Sequence, residues 1–331
     1  MLYNPEKKGP AIVIGDACVD VTLKLSEFSN VHETESKRRP VLIQAGGGTS
    51  ANTAVALAKL GVPTSFMGSL GCDYAGRFML RDLESAGVST KNIIVDSELN
   101  TVMVFAFIND QGERVLWGYP KEATSYSELD LAKVDLNEVR NARWLHSSGM
   151  NYLNSGSIRE SLPEIYRIAW EAGVPTSFDL NIRTANPEDV RPEIREAVMK
   201  TLPYVTFFLG SAKDEIYSLC PMNDWKDSCR SFATEHRTVI ARSGGDGCFA
   251  IDKDGNEFEE PSFSVKVVNT TGAGDSFNAG FIAGALSGRS FRESIVWGNG
   301  VGAYKVTGNG ARYTPDQVQL KAFLAVHGVI L

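Results

Sequence analysis

Segments typical of β-strands and of α-helices alternate along most of this chain. Apolar strand-like runs occupy residues 11–15, 64–70, 142–149, 176–181, 205–210 and 238–244. Segments with helical periodicity lie among them, at residues 51–61, 74–87, 158–173 and 193–202. Strands joined by helices of this length pair in parallel, and helices then cover both faces of the sheet. Because such crossovers are right-handed, the pattern predicts a doubly wound α/β fold with a mostly parallel sheet.

Two regions depart from this alternation. Residues 16–48 carry the strand-like runs VDVTLKL and VLIQAG with no clear helix between them, and residues 101–119 have the pattern of a hairpin around the turn DQGE. We expect these segments, about 16–48 and 99–121, to form a small β-sheet. Such a sheet would lie as a lid over the strand ends, where α/β domains bind ligands. The chain would then be one domain, residues 1–331, with the lid inside it.

Composition and charge exclude several classes of protein. The 331 residues are 43% apolar and 22% charged, as in a globular protein with a large core. The net charge is -7, and no basic stretch is interleaved with aromatics, so we expect no nucleic-acid partner. The five cysteines are scattered without a CxxC pair, which favours a reducing compartment. No signal-peptide core or membrane-length apolar segment is present, so the sequence predicts a cytoplasmic protein that does not contact membranes.

The segment VVNTTGAGDSF (267–277) combines an apolar run, a glycine turn and the start of a helix. A helix N-terminus presents unpaired N–H groups and the positive end of the helix dipole. The N–H groups of Gly272, Ala273 and Gly274 could therefore bind an anion. If they held a phosphoryl group, Asp275 would lie where an acceptor hydroxyl loses its proton. Taken alone, the motif is more typical of a glycine turn with a helix-capping aspartate.

Two further glycine-rich segments accompany it. In GGGTSANTAVALAKLG (46–61), the glycines allow close approach of the backbone, and Asn52 begins an alanine-rich helix where it could bind a hydroxylated ligand. ARSGGDGCFA (241–250) follows a strand and could bind polyphosphate, although it is also typical of a plain hairpin. A GxGxxG motif after the first strand and a GxxxxGK[ST] motif are both absent, which argues against a dehydrogenase and a P-loop NTPase.

In this order, the three segments resemble the ribokinase-like (phosphofructokinase-B type) family of carbohydrate kinases, from residue 15 to about residue 313. The family's fold, a Rossmann-like α/β domain with a β lid, agrees with the pattern described above. The resemblance implies that Asp275 is the catalytic base and that residues 272–274 form the anion hole. It implies that the sugar is bound by Asp20, Gly47, Gly48 and Asn52. It implies that the nucleotide is bound by Ser243, Gly244, Gly247, Thr271 and Asn299.

The resemblance is incomplete at the predicted cation sites. Most relatives have aspartate where this chain has Asn269, at a monovalent-cation site, so a K⁺ requirement stays open. The family's Asn-x-x-Glu element corresponds to GSAKDE (210–215), in which Asp214 or Glu215 could hold Mg²⁺ through water. The alternative is two charges at an exposed helix start. The phosphates of ATP call for Mg²⁺ in either case.

The substrate is predicted from weaker signals. FDLNIR (178–183) resembles a segment of 2-keto-3-deoxygluconate kinases and fructokinases, and Arg183 could pair with a sugar carboxylate or form a structural ion pair. Pro120 stands where sugar-acid kinases often have an arginine, which weakens the case for a sugar acid. We also expect lid aromatics, Phe105 and Trp117 among them, to cover one face of the sugar.

The sequence therefore predicts an ATP-dependent kinase that phosphorylates a primary hydroxyl of a monosaccharide, either a ketose or a keto-sugar acid. A ribokinase or nucleoside kinase of the same family is the alternative within the class. A catalytically inactive, sugar-responsive binding protein is the alternative outside it. Exposed strand edges in the lid would permit a homodimer.

Overall fold

A computed structural model describes residues 2–24, 41–109, 111, 114–184, 188 and 190–329. Their strands are Ala11–Ile14 (β1), Cys18–Lys24 (β2), Val41–Gly47 (β3), Thr64–Gly71 (β4), Ser89–Asp96 (β5), Met103–Ile108 (β6), Arg114–Tyr119 (β7), Trp144–Ser148 (β8), Thr176–Asp179 (β9), Phe207–Ser211 (β10), Thr238–Arg242 (β11), Cys248–Ile251 (β12) and Glu257–Glu260 (β13). Their α-helices are Thr49–Lys59 (α1), Tyr74–Ser85 (α2), Leu136–Asn141 (α3), Ile158–Glu171 (α4), Pro192–Thr201 (α5), Trp225–Phe232 (α6), Ala273–Leu286 (α7), Phe291–Val306 (α8) and Gln317–Val326 (α9).

The larger sheet has the strand order β13-β12-β11-β10-β9-β8-β1-β4-β5. All neighbours from β11 to β5 are parallel, and β12 and β13 add an antiparallel edge. The predicted mostly parallel sheet is therefore confirmed. From β1 the chain first runs outward to β4 and β5 and then returns to β8 on the other side of β1. Ligands of open α/β sheets bind at such a switch point, outside the carboxyl ends of the strands.

Both faces of this sheet are buried, as β1 shows most directly. Its residues AIVI alternate between two cores: Ala11 and Val13 join one hydrophobic cluster, and Ile12 and Ile14 join the other. Helices α1, α2, α7, α8 and α9 cover the first face, and α3 to α6 cover the second. A strand buried on both sides needs a continuous apolar run, which is the pattern by which the sequence revealed these strands.

Helices α7 and α8 pack unusually close, and glycine makes this possible. A Cβ on Gly280 would lie 2.7 Å from the main-chain oxygen of Trp297, and one on Gly298 would lie 3.0 Å from the ring of Phe277. Both helices are largely buried, so α8 lacks the amphipathic pattern that identifies a surface helix. For this reason α8 is not predicted by hydrophobic periodicity in the sequence. Strand β5 is not predicted either, because its side chains are mostly half-buried or exposed and partly polar.

The smaller sheet has the order β3-β2-β6-β7 and forms the predicted lid. Strand β2 pairs antiparallel with β3 and parallel with β6, and β6 and β7 form the predicted hairpin. Residues 25–40 of the predicted lid lie outside the described residues, as do residues 110, 112 and 113 of the predicted DQGE turn. Within the described ranges, no helix has the length and apolar character that crossing a membrane requires.

Candidate active site

Most of the predicted site residues lie at the carboxyl edge of the larger sheet, beside the switch point, whereas Phe105 and Trp117 lie on the smaller sheet. The loops after β1, β9, β10 and β11 begin at this edge, and the N-termini of α1 and α7 meet there. Asp16, two residues after the end of β1, fixes the start of α1. Its carboxylate accepts hydrogen bonds from Thr49 N at 2.6 Å, Ser50 N at 3.0 Å and Ser50 Oγ at 2.8 Å. This cap supplies the acceptor that the N-cap residue Gly48 cannot provide.

Asp275 lies in the first turn of α7 and is 7% exposed. Asn52, near the start of α1, donates from Nδ2 to Asp275 Oδ2 at 2.9 Å. Arg312 Nε donates to Asn52 Oδ1 at 3.0 Å, which fixes the orientation of the amide. Asn52 was predicted as a ligand for sugar hydroxyls; in the structure it contacts the predicted base, and its role as a sugar ligand stays a prediction.

The surroundings of Asp275 raise the pKa of its carboxyl group. Burial raises the pKa of Asp275 to about 7, and the nearby carboxylates Asp179 and Asp16 act in the same direction. The Asn52 hydrogen bond and the Arg242 charge lower the pKa and so limit the rise. A carboxyl group that titrates near pH 7 can take up a proton during a reaction and release it afterwards, as a general base requires.

The turn before α7 presents main-chain N–H groups. Gly272 has φ 80°, and a Cβ there would lie 2.6 Å from the carbonyl oxygen of Ala311, so no other residue fits without strain. The N–H of Ala273, one of the three predicted donors, already donates to Thr270 O at 3.1 Å. Across the described part of the chain, the N–H groups of Gly272, Gly274 and Asp275 contact no acceptor. Two predicted donors and the unpredicted N–H of Asp275 are therefore free to bind an anion.

A buried polar network lies behind Gly274 and joins β9, β11 and α7. Arg242 donates at 2.5 Å both to Asp179 Oδ1 and to Asn278 Oδ1. Asn278 Nδ2 closes the triangle by donating to Asp179 Oδ2 at 2.8 Å. Arg242 also donates to the main-chain oxygen of Gly274 at 3.4 Å. The network places a positive charge behind the anion-binding turn, and its ordered partners hold that charge in place.

Asp20 projects from β2 towards the same space. Burial raises the pKa of Asp20, and the charges of Arg312 and Arg183 lower it, so both cations lie close to this carboxylate. A Cβ on Gly47 would lie 2.4 Å from Asp20 Oδ2, which explains why glycine stands there. Gly48, with φ 98°, turns the chain from the lid into α1.

Arg183 lies four residues beyond Asp179, the last residue of β9. Its backbone has φ 49°, and that of Asn181 has φ 32°. A side chain in this left-handed region is strained, and such strain clusters at functional sites. The side chain of Arg183 is exposed and donates to Asn181 Oδ1 at 3.4 Å. No carboxylate of the described residues forms an ion pair with it, so the structural ion pair considered as an alternative does not form among them.

The predicted role of Phe105 and Trp117 disagrees with the strand register. Phe105 pairs with Trp117 across the hairpin, and their rings lie 5.7 Å apart. Phe105 also pairs with Val21 of β2 and therefore shares its face of the lid. Since successive residues of a strand point to opposite faces, Asp20 projects from the other side. The two aromatics face away from the predicted sugar site, and strand β6 contributes Val104 and Ala106 to the face of Asp20.

The predicted nucleotide loop borders a cavity of about 430 Å³. Ser243 and Gly244 line it together with Arg242 and Asp214. The loop is a tight turn in which Ser243 N donates to the main-chain oxygen of Gly247 at 2.7 Å, and Gly244 and Gly247 have φ 59° and 98°. The cavity therefore reaches Arg242, which lies behind the anion-binding turn. A polyphosphate could extend along this path.

The remaining predicted nucleotide ligands have main-chain partners in the structure. Asn299 donates from Nδ2 to the carbonyl oxygens of Glu260 and Pro261, at 3.3 and 3.2 Å, so both contacts tie α8 to the segment after β13. Thr271 is exposed, and its N–H donates to Asn269 Oδ1 at 2.8 Å. Neither arrangement tests contact with a nucleotide, and both roles stay predictions.

The two candidate magnesium ligands differ in their surroundings. Asp214 lines the cavity, and its Oδ2 accepts from Ser211 Oγ at 3.1 Å. Glu215 turns inward, where its Oε2 accepts from Ser211 N at 2.7 Å. Burial raises the pKa of Glu215 to about 7, with Asp179 acting in the same direction and Arg242 opposing. An accessible carboxylate that can hold Mg²⁺ through water fits Asp214 better than Glu215.

Several charged residues of the site were not predicted from the sequence. They are Asp16, Asp179, Arg242, Arg312 and Lys305. Three of them lie at the end of an apolar strand or two residues after it, in the segments IVIGD, TSFD and VIAR. These three residues could have been found from the sequence, because each is an ionisable side chain near the carboxyl end of a buried strand. Arg312 and Lys305 follow no such pattern, because tertiary packing alone brings them to the site.

Comparison with known proteins defines the class. The model of the pfkB family carbohydrate kinases matches residues 10–317. Aminoimidazole riboside kinase of Salmonella typhimurium is 30% identical over 326 residues, which cover 96% of this chain and 95% of that protein. Fructokinase of Vibrio alginolyticus is 30% identical over 320 residues, covering 94% and 98%. 5-Dehydro-2-deoxygluconokinase of Bacillus velezensis is 28% identical over 311 residues, covering 90% and 88%.

A solved structure shows the same architecture. The crystal structure of aminoimidazole riboside kinase from Salmonella enterica, complexed with aminoimidazole riboside and an ATP analogue, superposes with a TM-score of 0.77 at 28% identity. The match covers 95% of this chain and 99% of that one. The fold, the clustered glycine segments and the family match agree. The chain belongs to the pfkB family of carbohydrate kinases and is an enzyme of that class.

Proposed function

We propose that this kinase transfers the γ-phosphoryl group of ATP to a primary hydroxyl of a monosaccharide, either a ketose or a keto-sugar acid. The observation that carries the proposal is the position of Asp275. Its carboxylate is buried, has a pKa of about 7, and adjoins N–H groups without acceptors at the start of α7. Phosphoryl transfer needs this combination of a base with donors for the transferring charge.

Each of the following residues has a separate role in the proposed reaction. The sugar lies between the Asp20 face of the lid and Asp275, which takes the proton of the attacking hydroxyl. The N–H groups of Gly272 and Gly274 receive the charge of the transferring phosphoryl group, and Arg242 adds a fixed positive charge behind them. Closure of the lid would exclude water and so suppress hydrolysis of ATP.

ATP and Mg²⁺ are the proposed cosubstrate and metal. The ATP phosphates would extend from the 430 Å³ cavity, past Ser243 and Gly244, to the turn before α7. When bound, Mg²⁺ would neutralise part of the phosphate charge. Asp214 would hold the ion through water, and Glu215 would support the loop from within.

The ketose or keto-sugar acid assignment rests on Arg183. This exposed cation lies near Asp20, at a strained backbone position, and has no ion-pair partner in the described ranges. A carboxylate or a carbonyl oxygen of the sugar would provide the missing acceptor. Relatives named fructokinase and 5-dehydro-2-deoxygluconokinase point to the same substrate class. A riboside or nucleoside is the second candidate, because another relative is named aminoimidazole riboside kinase.

The test is phosphorylation of a panel of ketoses, keto-sugar acids, ribose and nucleosides with Mg-ATP, compared between the wild type and Asp275→Asn. We expect the highest kcat/KM on a ketose or keto-sugar acid and loss of turnover, with retained sugar binding, in the variant. The highest kcat/KM on ribose or a nucleoside would favour the second candidate. Sugar binding without turnover by the wild type would favour an inactive binding protein.

Three further assignments belong to this proposal. We expect the whole chain to work as one kinase domain and to dimerise through the lid. We also expect it to act in the cytoplasm. All five cysteines are described and are free, and three of them are buried, which suits a reducing compartment.

A further inference from the structure

Lys305 is a fully buried lysine next to the anion-binding turn. It lies near the end of α8, is 0% exposed, and donates from Nζ to the main-chain oxygen of Asn269 at 2.6 Å. A buried ammonium normally has a carboxylate partner, because leaving a charge unpaired away from water is unfavourable. No carboxylate in the described ranges lies within ion-pair distance of Lys305. The neutral carbonyl group of Asn269 is the partner that the structure gives to this charge.

The position of this carbonyl group explains why a cation is placed there. Asn269 begins the turn that carries the anion-binding N–H groups, and its Oδ1 accepts from Thr271 N at 2.8 Å. The N–H groups of Val268 and Asn269 both donate to Val306 O, at 2.7 and 3.2 Å, so the turn is tied to the end of α8. Lys305 thus holds the segment that positions Gly272 through a hydrogen bond from its ammonium group. Burial lowers the pKa of Lys305, and the charge of Asp275 raises it, so the ammonium and the base interact.

A monovalent cation fits these residues poorly. K⁺ is bound by oxygen atoms, mainly carbonyl and carboxylate oxygens. Here the Asn269 carbonyl oxygen already accepts from an ammonium, the Asn269 side-chain oxygen accepts from Thr271 N, and the side chain is a neutral amide. A second positive charge at this carbonyl group would be repelled by Lys305.

We propose that the Lys305 ammonium replaces a monovalent cation at the anion-binding turn, so that phosphoryl transfer by this kinase does not require K⁺. The charge supports the turn through Asn269 and offsets part of the negative charge of Asp275 and of the phosphoryl group. This inference rests on the proposed phosphoryl transfer for its kinetic readout. Binding of an ion at the turn can be measured without turnover.

The kinetic experiment compares the wild type with Lys305→Ala in buffers whose only other cations are Mg²⁺ and tetramethylammonium. The wild-type rate should not change on addition of K⁺. Lys305→Ala should lose activity by roughly 10²-fold, the size of the loss when one preorganised electrostatic group is removed. Added K⁺ should restore much of that activity by entering the vacated space. A wild-type rate that depends on K⁺, or a variant that K⁺ does not restore, overturns the proposal.

Two further variants distinguish the effect of the Lys305 charge from the effect of its packing. Lys305→Met keeps the volume without the charge, so the roughly 10²-fold loss of activity should persist at every K⁺ concentration. Asn269→Asp combined with Lys305→Ala adds a carboxylate ligand and should respond to lower K⁺ concentrations than Lys305→Ala alone. Lys7→Met is the matched control, because Lys7 also donates to a main-chain oxygen at 2.6 Å, that of Arg140 on α3. It should behave as the wild type.

Crystals soaked in Rb⁺, which scatters anomalously, provide the readout that is independent of activity. We expect an anomalous peak beside the Asn269 carbonyl oxygen in Lys305→Ala and none there in the wild type. If no sugar is phosphorylated, the proposed function fails, and the crystals still decide the cation question. A peak at that oxygen in the wild type, or none in Lys305→Ala, overturns the replacement of the ion by Lys305.

Discussion

At the scale of single residues, the shifted pKa of Asp275 determines how the activity should depend on pH. Burial raises this pKa to about 7, so the carboxylate is increasingly protonated as the pH falls below 7. A protonated Asp275 cannot act as a base, and kcat/KM should therefore fall on the acid side of an apparent pKa near 7. Asn52→Ala removes the hydrogen bond that lowers this pKa, so the acid limb should move to higher pH. A pH profile that Asn52→Ala leaves unchanged would contradict this assignment.

Asp275 should also link stability to pH. Its folded pKa of about 7 lies above the ordinary value of 3.8, so its contribution to stability is present at low pH and is lost as the pH rises through 7. Asp275→Asn removes the charge that burial disfavours. We expect the variant to have a higher Tm than the wild type at pH 8 and a smaller difference at pH 5. Thermal unfolding at both pH values checks the sign, and a larger gain at pH 5 would argue against a raised pKa.

Arg183 should determine which sugars are accepted. Because its guanidinium has no ion-pair partner among the described residues, Arg183→Gln should keep the fold and lose a charged contact with the substrate. For a keto-sugar acid, kcat/KM should fall by roughly 10- to 100-fold, the equivalent of the 1.5–3 kcal/mol of a charged hydrogen bond. For a neutral ketose, the loss should be smaller. Equal losses on both substrates would show that Arg183 does not recognise a carboxylate.

At the scale of elements, Asp16 should connect the stability of α1 with catalysis. Its carboxylate caps α1 through three hydrogen bonds, and α1 carries Asn52, which contacts Asp275. Asp16→Ala should reduce the free energy of unfolding by about 2 kcal/mol, as expected for loss of a buried cap, and should also reduce kcat. Denaturant titration and steady-state kinetics measure the two effects.

Asp316 provides a matched control for that prediction. It caps α9 by accepting from Gln319 N at 2.8 Å, in an exposed capping box. Asp316→Ala should lower the free energy of unfolding by about 1 kcal/mol and leave kcat unchanged. If both variants lose stability and neither loses activity, the cap of α1 does not position Asn52.

The sequence was most informative about elements whose burial produces a regular pattern. Strands such as β1, buried on both faces, appeared as apolar runs, and the hairpin β6–β7 was predicted from its turn. The GAGD turn indicated Asp275 as the candidate base only together with the two other glycine-rich segments, because glycine and aspartate at a helix start are also typical of an ordinary capped turn. Helix α8 could not be predicted from hydrophobic periodicity, because the glycines at its contact with α7 interrupt the amphipathic pattern. The orientation of Phe105 and Trp117 could not be predicted, since it depends on the register between β2 and β6, which the local sequence does not determine.

At the scale of the whole molecule, the lid carries an apolar surface that a second copy of the chain could cover. On the face opposite Asp20, the outer strands expose Leu42 by 61%, Val115 by 59% and Trp117 by 49%. Large apolar groups clustered on exposed edge strands mark contact surfaces. We expect light scattering after size exclusion to give twice the mass of the chain, and Val115→Lys with Trp117→Lys to reduce it to one.

Val326→Lys is the control for the predicted dimer. Val326 is 84% exposed at the end of α9, away from the lid strands, and should tolerate lysine without a change of mass. A wild type with the mass of a single chain would refute the dimer. A dimer that persists in the double lid variant would place its interface elsewhere. A dimer would also account for the lid aromatics that face away from the predicted sugar site.

The way the two sheets are joined restricts how the lid can move. The described connections, residues 15–17, 48, 97–102 and 120–124, all enter the lid at the end where Cys18 pairs with Gly47. The opposite end, where Ile108 pairs with Arg114, lies about six residues away, or roughly 20 Å at the rise of a strand. A sheet attached in this way can rotate about the end at Cys18 and Gly47 but cannot translate as a whole. Asp20, two residues from the attached end, would move little during such a rotation, whereas the end at Ile108 and Arg114 would move furthest. The angle through which the lid closes would therefore depend on the size of the ligand beneath it.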